Sequence, residues 1–443
     1  MTEPVRLNRR QLLNAAAVLG GSACLAPVLA ACGSNAPPQN AADEAGYLTS
    51  GVGRLAGSAP DGHTVATATS AFGADLYQRL VVADDNLVIS PWSVMVALAM
   101  ARTGARGSTA TEMDHVLGVA PAALGPGVDW LDRHLEGLAG TQKNATGKSA
   151  TIGLNSANAV WGQRGEGWRP AFLDELARYY GSGLRIADFK HAAAEAAHAI
   201  NSWVAGQTHD RIRDLVPADA LDPLTRMVLV NALWFKAPWH EHFEKTATTQ
   251  APFTRADGSK VTVDMMDADL EASGYAEGTG WRAARIPYAG QQLAMTIVVP
   301  QGSFTLADLE KQLAGRGLAG ILGAVRPDSV RVAMPRWTFR TSASLKPALS
   351  ALGMPTSFGS RANFSGMTTA EQLFIRAVLH QGFIAVDEEG TEAAAATAVV
   401  MGTTSARMDP HVVRADRAFL FVIHDIATAT PLFLGRVADP TAG

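Results

Sequence analysis

One stretch near the C-terminus, residues 386–410, constrains the fold more than any other part of the chain. It begins with three acidic residues before Gly390 and continues as uncharged, mostly small residues from Ala393 to Ala406. Because Ala and Glu are strong helix formers, a surface helix or a flexible linker is the simplest interpretation. Such a helix, however, would have no large apolar stripe to bury against a core.

The same stretch carries a period-two pattern and lies between two strand-like segments, residues 373–386 and 419–423. In an extended chain, alternate side chains share one face. From Thr391 onward one face would carry only small or β-branched uncharged side chains: Thr391, Ala393, Ala395, Thr397 and Val399. Glu392 would lie on the opposite face. The pattern therefore predicts a loop that can become a strand with a small, uncharged buried face.

Residues 62–443 are interpreted as one domain of the α+β class. Helical spacing is most frequent in the first half of the chain, and strand patterns are most frequent in the second. This mixture without strict alternation argues against a doubly wound parallel sheet. Ser90 and Pro91 are typical of a helix start, and the helix they open has almost no polar residue up to Thr103, which predicts burial on all sides.

Composition excludes several classes of protein. The net charge is −4 and no cluster of Lys and Arg forms a basic face, so nucleic-acid binding is not expected. The two cysteines, Cys24 and Cys32, both precede the folded region. A disulfide framework, a thiolate metal site and a cysteine nucleophile are therefore excluded from that region.

No recognisable catalytic or cofactor motif is present. The sequence has no G-x-S-x-G elbow, no H-E-x-x-H, no phosphate-binding P-loop and no G-x-G-x-x-G. His240-Glu241-His242 would place two imidazoles on one face of a strand, but no third metal ligand is evident, and a solvated surface turn is the alternative. We therefore expect a protein that is not an enzyme and that holds no cofactor and no metal.

The N-terminus reads as a targeting segment. Residues 1–31 combine a charged start with a short apolar run, which is typical of a signal peptide. Arg9-Arg10 followed by QLL resembles a twin-arginine export signal, and LAAC ending at Cys32 resembles a bacterial lipobox in which that cysteine is lipidated. An ordinary secretory signal with an incidental cysteine is the alternative. Residues 32–61 are rich in Ala, Gly, Ser and Pro, which predicts a disordered tether between the exported domain and a membrane that holds the lipid.

Four segments of the body together resemble the serpin family, in the family's order and spacing over residues 65–440. They are residues 86–98 (NLVISPWSVMVAL), 230–239 (VNALWFKAPW), 377–397 (AVLHQGFIAVDEEGTEAAAAT) and 413–437 (VRADRAFLFVIHDIATATPLFLGRV). Ala418 departs from the family pattern, which usually has Pro, Ser or Thr before the position of Phe419. The resemblance implies a large central mixed β-sheet with smaller sheets, about eight to nine helices, an exposed reactive-centre loop and a monomeric state.

The resemblance also implies an irreversible suicide-substrate inhibitor of serine proteases. A target protease would attack the exposed loop and form an acyl-enzyme, and the cleaved loop would then insert as a new strand in the central sheet and trap the covalent complex. The matching hinge residues are Glu388, Gly390, Thr391, Ala393, Ala395 and Thr397. The matching sheet-opening residues are Ser90, Ser93, Asn231, His380 and Trp239; satisfied polar groups of the core are the simpler interpretation of this set.

Two counts along the family spacing place the attacked bond differently. Counting from Glu388 gives Thr404-Ser405, which would suit elastase-like or subtilisin-like pockets. Counting back from Phe419 gives Arg407-Met408, which would suit a trypsin-like pocket with a carboxylate at its base. We favour the first count, because sheet geometry fixes the length on the hinge side.

Two alternatives remain for the function. One is a serpin-fold protein without inhibitory activity, serving as a binding or storage module. The other is an inhibitor of papain-like cysteine proteases, because the trap requires only a covalent acyl intermediate. Bulky or charged residues at the inserting positions of the hinge would favour the first alternative, and none is present between Gly390 and Thr397.

Overall fold

Two large β-sheets and nine α-helices make up the described part of the chain. The computed structural model describes residues 46–217, 219–370, 372–392 and 411–442, which belong to one compact unit. The α-helices are α1 (Ala59–Leu80), α2 (Pro91–Gly104), α3 (Gly107–Leu117), α4 (Pro121–Glu136), α5 (Pro170–Tyr180), α6 (Ala193–Gln207), α7 (Leu306–Lys311), α8 (Gly317–Ala324) and α9 (Lys346–Leu352). The α+β class and the number of helices are confirmed.

Seventeen strands complete the described fold. They are β1 (Tyr47–Leu48), β2 (Leu87–Ile89), β3 (Gly140–Lys143), β4 (Ser149–Gln163), β5 (Leu184–Ala187), β6 (Met227–Pro238), β7 (Thr249–Thr254), β8 (Lys260–Gly278), β9 (Trp281–Pro287), β10 (Leu293–Pro300), β11 (Arg326–Pro335), β12 (Trp337–Ser344), β13 (Ala377–Val386), β14 (Gly390–Thr391), β15 (His411–Arg414), β16 (Phe419–Asp425) and β17 (Pro431–Val437).

The central sheet has eight strands and mixed directions. Its order is β1-β5-β4-β6-β14-β13-β12, with β3 paired to β4; β6 and β13 run parallel, as do β4 and β5. The second sheet has nine strands in the order β15-β11-β8-β9-β10-β16-β17-β2, with β7 paired to β8. The strands expected in smaller sheets thus form one sheet, because the 19-residue β8 pairs with β7, β9 and β11 along its length.

Helix α2 begins where the sequence predicts and lies between the two sheets. The Ser90 hydroxyl accepts a hydrogen bond from the Ser93 N–H, and Pro91 occupies the first turn. All residues from Pro91 to Ala101 are buried. The helix contacts β4 and β6 of the central sheet and β17 of the second sheet, which explains why almost none of its residues is polar.

Strand β6 is buried on both faces. Leu233, Phe235 and Ala237 belong to the main core between the sheets. Val228 and Val230 belong to a smaller apolar cluster between the central sheet and α6. The two faces of this strand therefore define an inner side, toward α2, and an outer side, toward α6.

The predicted tether over residues 32–61 is wrong for residues 46–61. Tyr47 and Leu48 form β1 on the edge of the central sheet, and α1 begins at Ala59. Between them, Arg54 Nε lies 2.5 Å from Asp129 Oδ1, and the Asp129 side chain is fully buried. This segment is held by backbone pairing and ion pairs, which leave no apolar periodicity in the sequence.

Helix α4 was not predicted, because Gly125-Pro126-Gly127 lies in its second turn and reads as a loop. The glycine at 127 instead marks close packing against α1: a Cβ there would lie 2.5 Å from the carbonyl oxygen of Asp61. Tertiary contact between the two helices therefore outweighs the low helix propensity of this segment.

Several predicted features lie outside the described residues. They are the signal peptide at 1–31, the lipidation site Cys32, the distal hinge residues Ala393, Ala395 and Thr397, and the two candidate bonds Thr404-Ser405 and Arg407-Met408. These assignments stay predictions. Among the residues that are described, no helix is long and apolar enough to cross a membrane.

Candidate functional site

The central sheet is split along its middle. β6 and β13 pair directly where Val228–Ala232 face Ala377–Gln381. Beyond these residues the two strands separate, and β14 lies between their far ends, where Thr391 pairs with both Val386 and Ala237. The start of the predicted hinge therefore occupies the end of a gap between two central strands.

A tight turn sends the chain back into this gap after β13. The Asp387 carboxylate accepts hydrogen bonds from the N–H groups of Glu389 (2.9 Å) and Gly390 (3.2 Å), and the Asp387 N–H donates to the Gly390 carbonyl. Gly390 has φ +153°, and a Cβ there would lie 2.2 Å from the carbonyl oxygen of Ala237. Only glycine fits where the chain re-enters the sheet.

Glu388 anchors the same turn to the neighbouring strands. Its carboxylate is 2% exposed and accepts Arg336 Nε at 2.8 Å, Arg336 Nη2 at 2.5 Å and the Thr248 hydroxyl at 2.5 Å. Burial alone would raise the pKa of Glu388, but the hydrogen bonds from Arg336 and Thr248 outweigh it and place the pKa below its usual value. Glu388 is therefore held as a carboxylate.

An aromatic stack lies beneath the point where the hinge enters. Trp239 is fully buried, stacks on Tyr288 with ring centroids 4.6 Å apart, and donates from Nε1 to the Asp387 carbonyl at 3.0 Å. The Tyr288 and Thr391 hydroxyls are 2.7 Å apart. Burial raises the pKa of Tyr288 above its usual value, so the phenol stays neutral. Thr391 thus faces the inner side of the sheet through a neutral contact.

Four of the predicted sheet-opening residues come together under the paired part of β6 and β13. The His380 Nε2 accepts the Ser90 N–H at 3.1 Å, so its Nδ1 carries the proton and donates to Asn231 Oδ1 at 2.5 Å. The Ser93 N–H donates to the Ser90 hydroxyl. Trp239, which by resemblance corresponds to an aromatic residue where the loop enters the sheet, lies at the end of β6 beside the turn.

Two further members of this cluster, Asn158 and Ser156, were not predicted from the sequence. Asn158 on β4 accepts a 2.6 Å hydrogen bond from the Ser93 hydroxyl, and its Nδ2 donates to the Ser156 hydroxyl. Asn158 is the direct neighbour of Asn231 in the β4–β6 pairing. Polar residues at alternate positions in the run SANAVW were the only signal. The cluster therefore links α2 to three adjacent strands of the sheet through β4, β6 and β13.

The buried histidines predict a loss of stability in acid. Burial lowers the pKa of His380 to about 4, and burial likewise lowers the pKa of His424 to about 4. Between pH 6.5 and 4 the unfolded chain binds these protons and the folded chain does not, so the free energy of unfolding falls as the pH falls. Each histidine contributes up to about 3 kcal/mol.

Urea unfolding at intervals between pH 7 and pH 4.5 measures this effect. The steepest loss is expected below pH 6.5. A free energy of unfolding that stays constant across this range would contradict the assignment of neutral buried imidazoles.

The side chains of His240, Glu241 and His242 are half-buried, so this segment is not a solvated turn. Glu241 accepts the N–H of Ala272, and the His242 ring lies 3.3 Å from Asn144 Nδ2 and 3.7 Å from Glu389. Among the residues that the structure describes, no group of three potential ligands is close enough to hold a metal ion. The segment packs against the turn that precedes the hinge.

The chain resembles a single family over nearly all of its described length. A sequence model of the family described as Serpin (serine protease inhibitor) matches residues 67–440. An uncharacterized serpin-like protein of Thermococcus kodakarensis is 38% identical over 385 residues, which cover 86% of each chain. The human leukocyte elastase inhibitor is 34% identical over 389 residues, which cover 85% of this chain and 99% of the inhibitor.

Solved structures show the same architecture. The crystal structure of the thermophilic serpin tengpin in its native state matches with a TM-score of 0.77 and 26% identity, covering 88% of this chain and 97% of that one. The two proteins therefore share a fold over most of the length of this chain.

Proposed function

The chain belongs to the serpin family, a family of protease inhibitors and not of enzymes, and we propose that it inhibits serine proteases as a suicide substrate. The protease serine attacks a carbonyl carbon of the loop that follows Thr391, the peptide bond breaks, and the new amino terminus leaves. The loop remains esterified to the protease. It then inserts between β6 and β13 before water hydrolyses the ester.

The observation that carries this proposal is the position of β14 in the gap. Thr391 already pairs with both flanking strands and Gly390 pairs with β6, in an antiparallel direction that residues further along could continue. Thr391 faces inward and Glu392 faces outward, so the small residues of the period-two pattern would point to the core. A storage or binding protein would have no need of this alternation.

Energetics support a mechanical trap. A new central strand would gain on the order of ten ladder hydrogen bonds at roughly 1 kcal/mol each, in addition to apolar burial. This sum is comparable with the whole stability of a typical domain, about 5–15 kcal/mol. The partly open sheet therefore stores enough free energy to displace a bound protease.

For the target class we propose elastase-like or subtilisin-like proteases, which would attack the bond Thr404-Ser405 of this chain. The relatives named leukocyte elastase inhibitor support an elastase-like target, since Thr404 would fit a small specificity pocket. Cleavage at Arg407-Met408 would instead indicate a trypsin-like target.

Incubation of the purified chain with elastase, subtilisin and trypsin tests the proposal. We expect at least one protease to form a complex that survives denaturant, and the released C-terminal fragment to begin at Ser405. If all three proteases cleave the loop and none is retained, the inhibitory function is wrong. A fragment that begins at Met408 would assign the attacked bond to Arg407-Met408 and the target to the trypsin-like proteases.

A further inference from the structure

Glu392 bridges the two strands that the gap separates. Its N–H donates to the carbonyl of Ala385 on β13 at 2.9 Å. Its Oε2 accepts the Trp234 Nε1–H, on β6, at 2.8 Å. One residue is thus bound through its backbone to one side of the gap and through its side chain to the other.

The connection between α6 and β6 completes the contact from the outer side. Arg211 Nε lies 3.4 Å from Glu392 Oε2, and its guanidinium lies over the ring of Phe383 on β13. His209 packs on Trp234, with ring centroids 4.2 Å apart. This connection therefore covers the same gap and contacts both members of the Glu392–Trp234 pair.

Two features show that these contacts hold Glu392 in place, because neither its backbone conformation nor its burial is favourable without them. Its φ is +49°, a left-handed conformation that is unfavourable for a residue with a Cβ. Its side chain is 4% exposed although it carries a carboxylate, and burial raises its pKa. A buried carboxylate requires partners, and Trp234 and Arg211 supply them.

We propose that Glu392 is a positioning residue of the trap, and that Glu392, Trp234 and Arg211 form a clasp that holds residues 390–392 in the gap before any protease arrives. This inference rests on the proposed inhibitory function. Strand addition is slow to begin, because the first residues must be ordered and the flanking strands parted before further pairing is gained. The clasp completes this step in the uncleaved protein.

The clasp affects the number of inhibitor molecules released as cleaved product for each protease trapped. After acylation, insertion competes with hydrolysis of the ester. The ratio of molecules released as cleaved product to molecules trapped therefore equals the hydrolysis rate divided by the insertion rate. A loosened clasp slows insertion, leaves hydrolysis unchanged and raises this ratio.

Three variants separate the contribution of the Trp234 hydrogen bond from that of the Arg211 ion pair. Trp234→Phe removes the indole N–H but keeps an aromatic ring beside His209. Glu392→Gln keeps an acceptor for Trp234 but removes the charge that faces Arg211. Asp210→Asn is the matched control, because Asp210 is exposed in the same connection and its φ of +62° suits asparagine.

For Trp234→Phe we expect the ratio to rise about tenfold, equivalent to ~1.4 kcal/mol on the insertion barrier. For Glu392→Gln we expect a smaller rise, since Arg211 is 55% exposed and its ion pair is screened by water. Asp210→Asn should match the wild type. An unchanged or lower ratio in Trp234→Phe would overturn the clasp.

Hydrogen exchange of the uncleaved protein gives a readout that needs no protease. Peptides containing residues 390–392 should exchange faster in Trp234→Phe than in the wild type or in Asp210→Asn, while peptides from α2 should exchange equally. Equal exchange at residues 390–392 in all three proteins would overturn the clasp even if inhibition is observed. A wild-type chain that traps no protease would overturn the proposed function, and the exchange data would still decide the clasp.

Discussion

Replacement of Thr391 by arginine is expected to convert the protein from an inhibitor into an ordinary protease substrate. Thr391 is buried, and its hydroxyl contacts that of Tyr288. A guanidinium at this position would face the Trp239–Tyr288 stack, and burial of an unpaired charge costs several kcal/mol or more. The hinge would leave the gap and insertion could not begin, while the protease could still cleave the bond that it attacks.

Gel electrophoresis under denaturing conditions measures the outcome. Thr391→Arg should give only cleaved inhibitor and free protease, whereas Thr391→Ser, which keeps the hydroxyl and adds no bulk, should give a covalent complex like the wild type. If Thr391→Arg forms as much complex as the wild type, insertion does not begin at this residue.

Replacement of Arg336 by alanine is expected to lower the free energy of unfolding by about 2 kcal/mol. The Glu388 carboxylate would stay buried without its cation and keep only the Thr248 hydroxyl as a side-chain partner. Removal of one partner from a fully buried pair typically costs about 3–5 kcal/mol. Arg336 is 41% exposed, so part of its interaction is already weakened by water and the smaller value is expected.

Arg331, on the strand β11 that precedes Arg336, provides the matched control. Its Nε lies 2.9 Å from Asp267, with similar exposure of the arginine but a much more accessible carboxylate. Arg331→Ala should lower the free energy of unfolding by less than about 1 kcal/mol. Urea unfolding of both variants makes the comparison, and equal losses would show that burial of Glu388 does not strengthen its pair.

Local sequence signals predicted the parts of the site that depend on local chemistry. Ser90 and Pro91 marked the start of α2, and the alternation from Thr391 to Glu392 matches their inner and outer positions. Each of these features depends on the backbone conformation and burial of a few adjacent residues. The order of polar and apolar residues in a short segment indicates both the backbone conformation and the burial of its side chains.

The partners of these residues could not be predicted in the same way. Arg336 lies 52 positions from Glu388, and Thr248 lies 140 positions from it. Nothing in a window around Glu388 indicates which cation it meets, because that depends on how β11, β12 and β13 assemble. The ordering of residues 46–61 was missed for the same reason: Arg54 is paired with acids of α4, and α4 itself was unrecognised.

Residues 46–61 also determine where a mechanical force applied to the N-terminal side of the chain would reach the domain. A pull on the chain ahead of Tyr47 would be borne first by the β1–β5 pairing and then by Arg54, before it reached α1. In the order of the central sheet, β5, β4 and β6 stand between β1 and β14. Tension on the N-terminus would thus be resisted at the outer edge of the sheet, and a domain held by that end could keep its hinge free of strain.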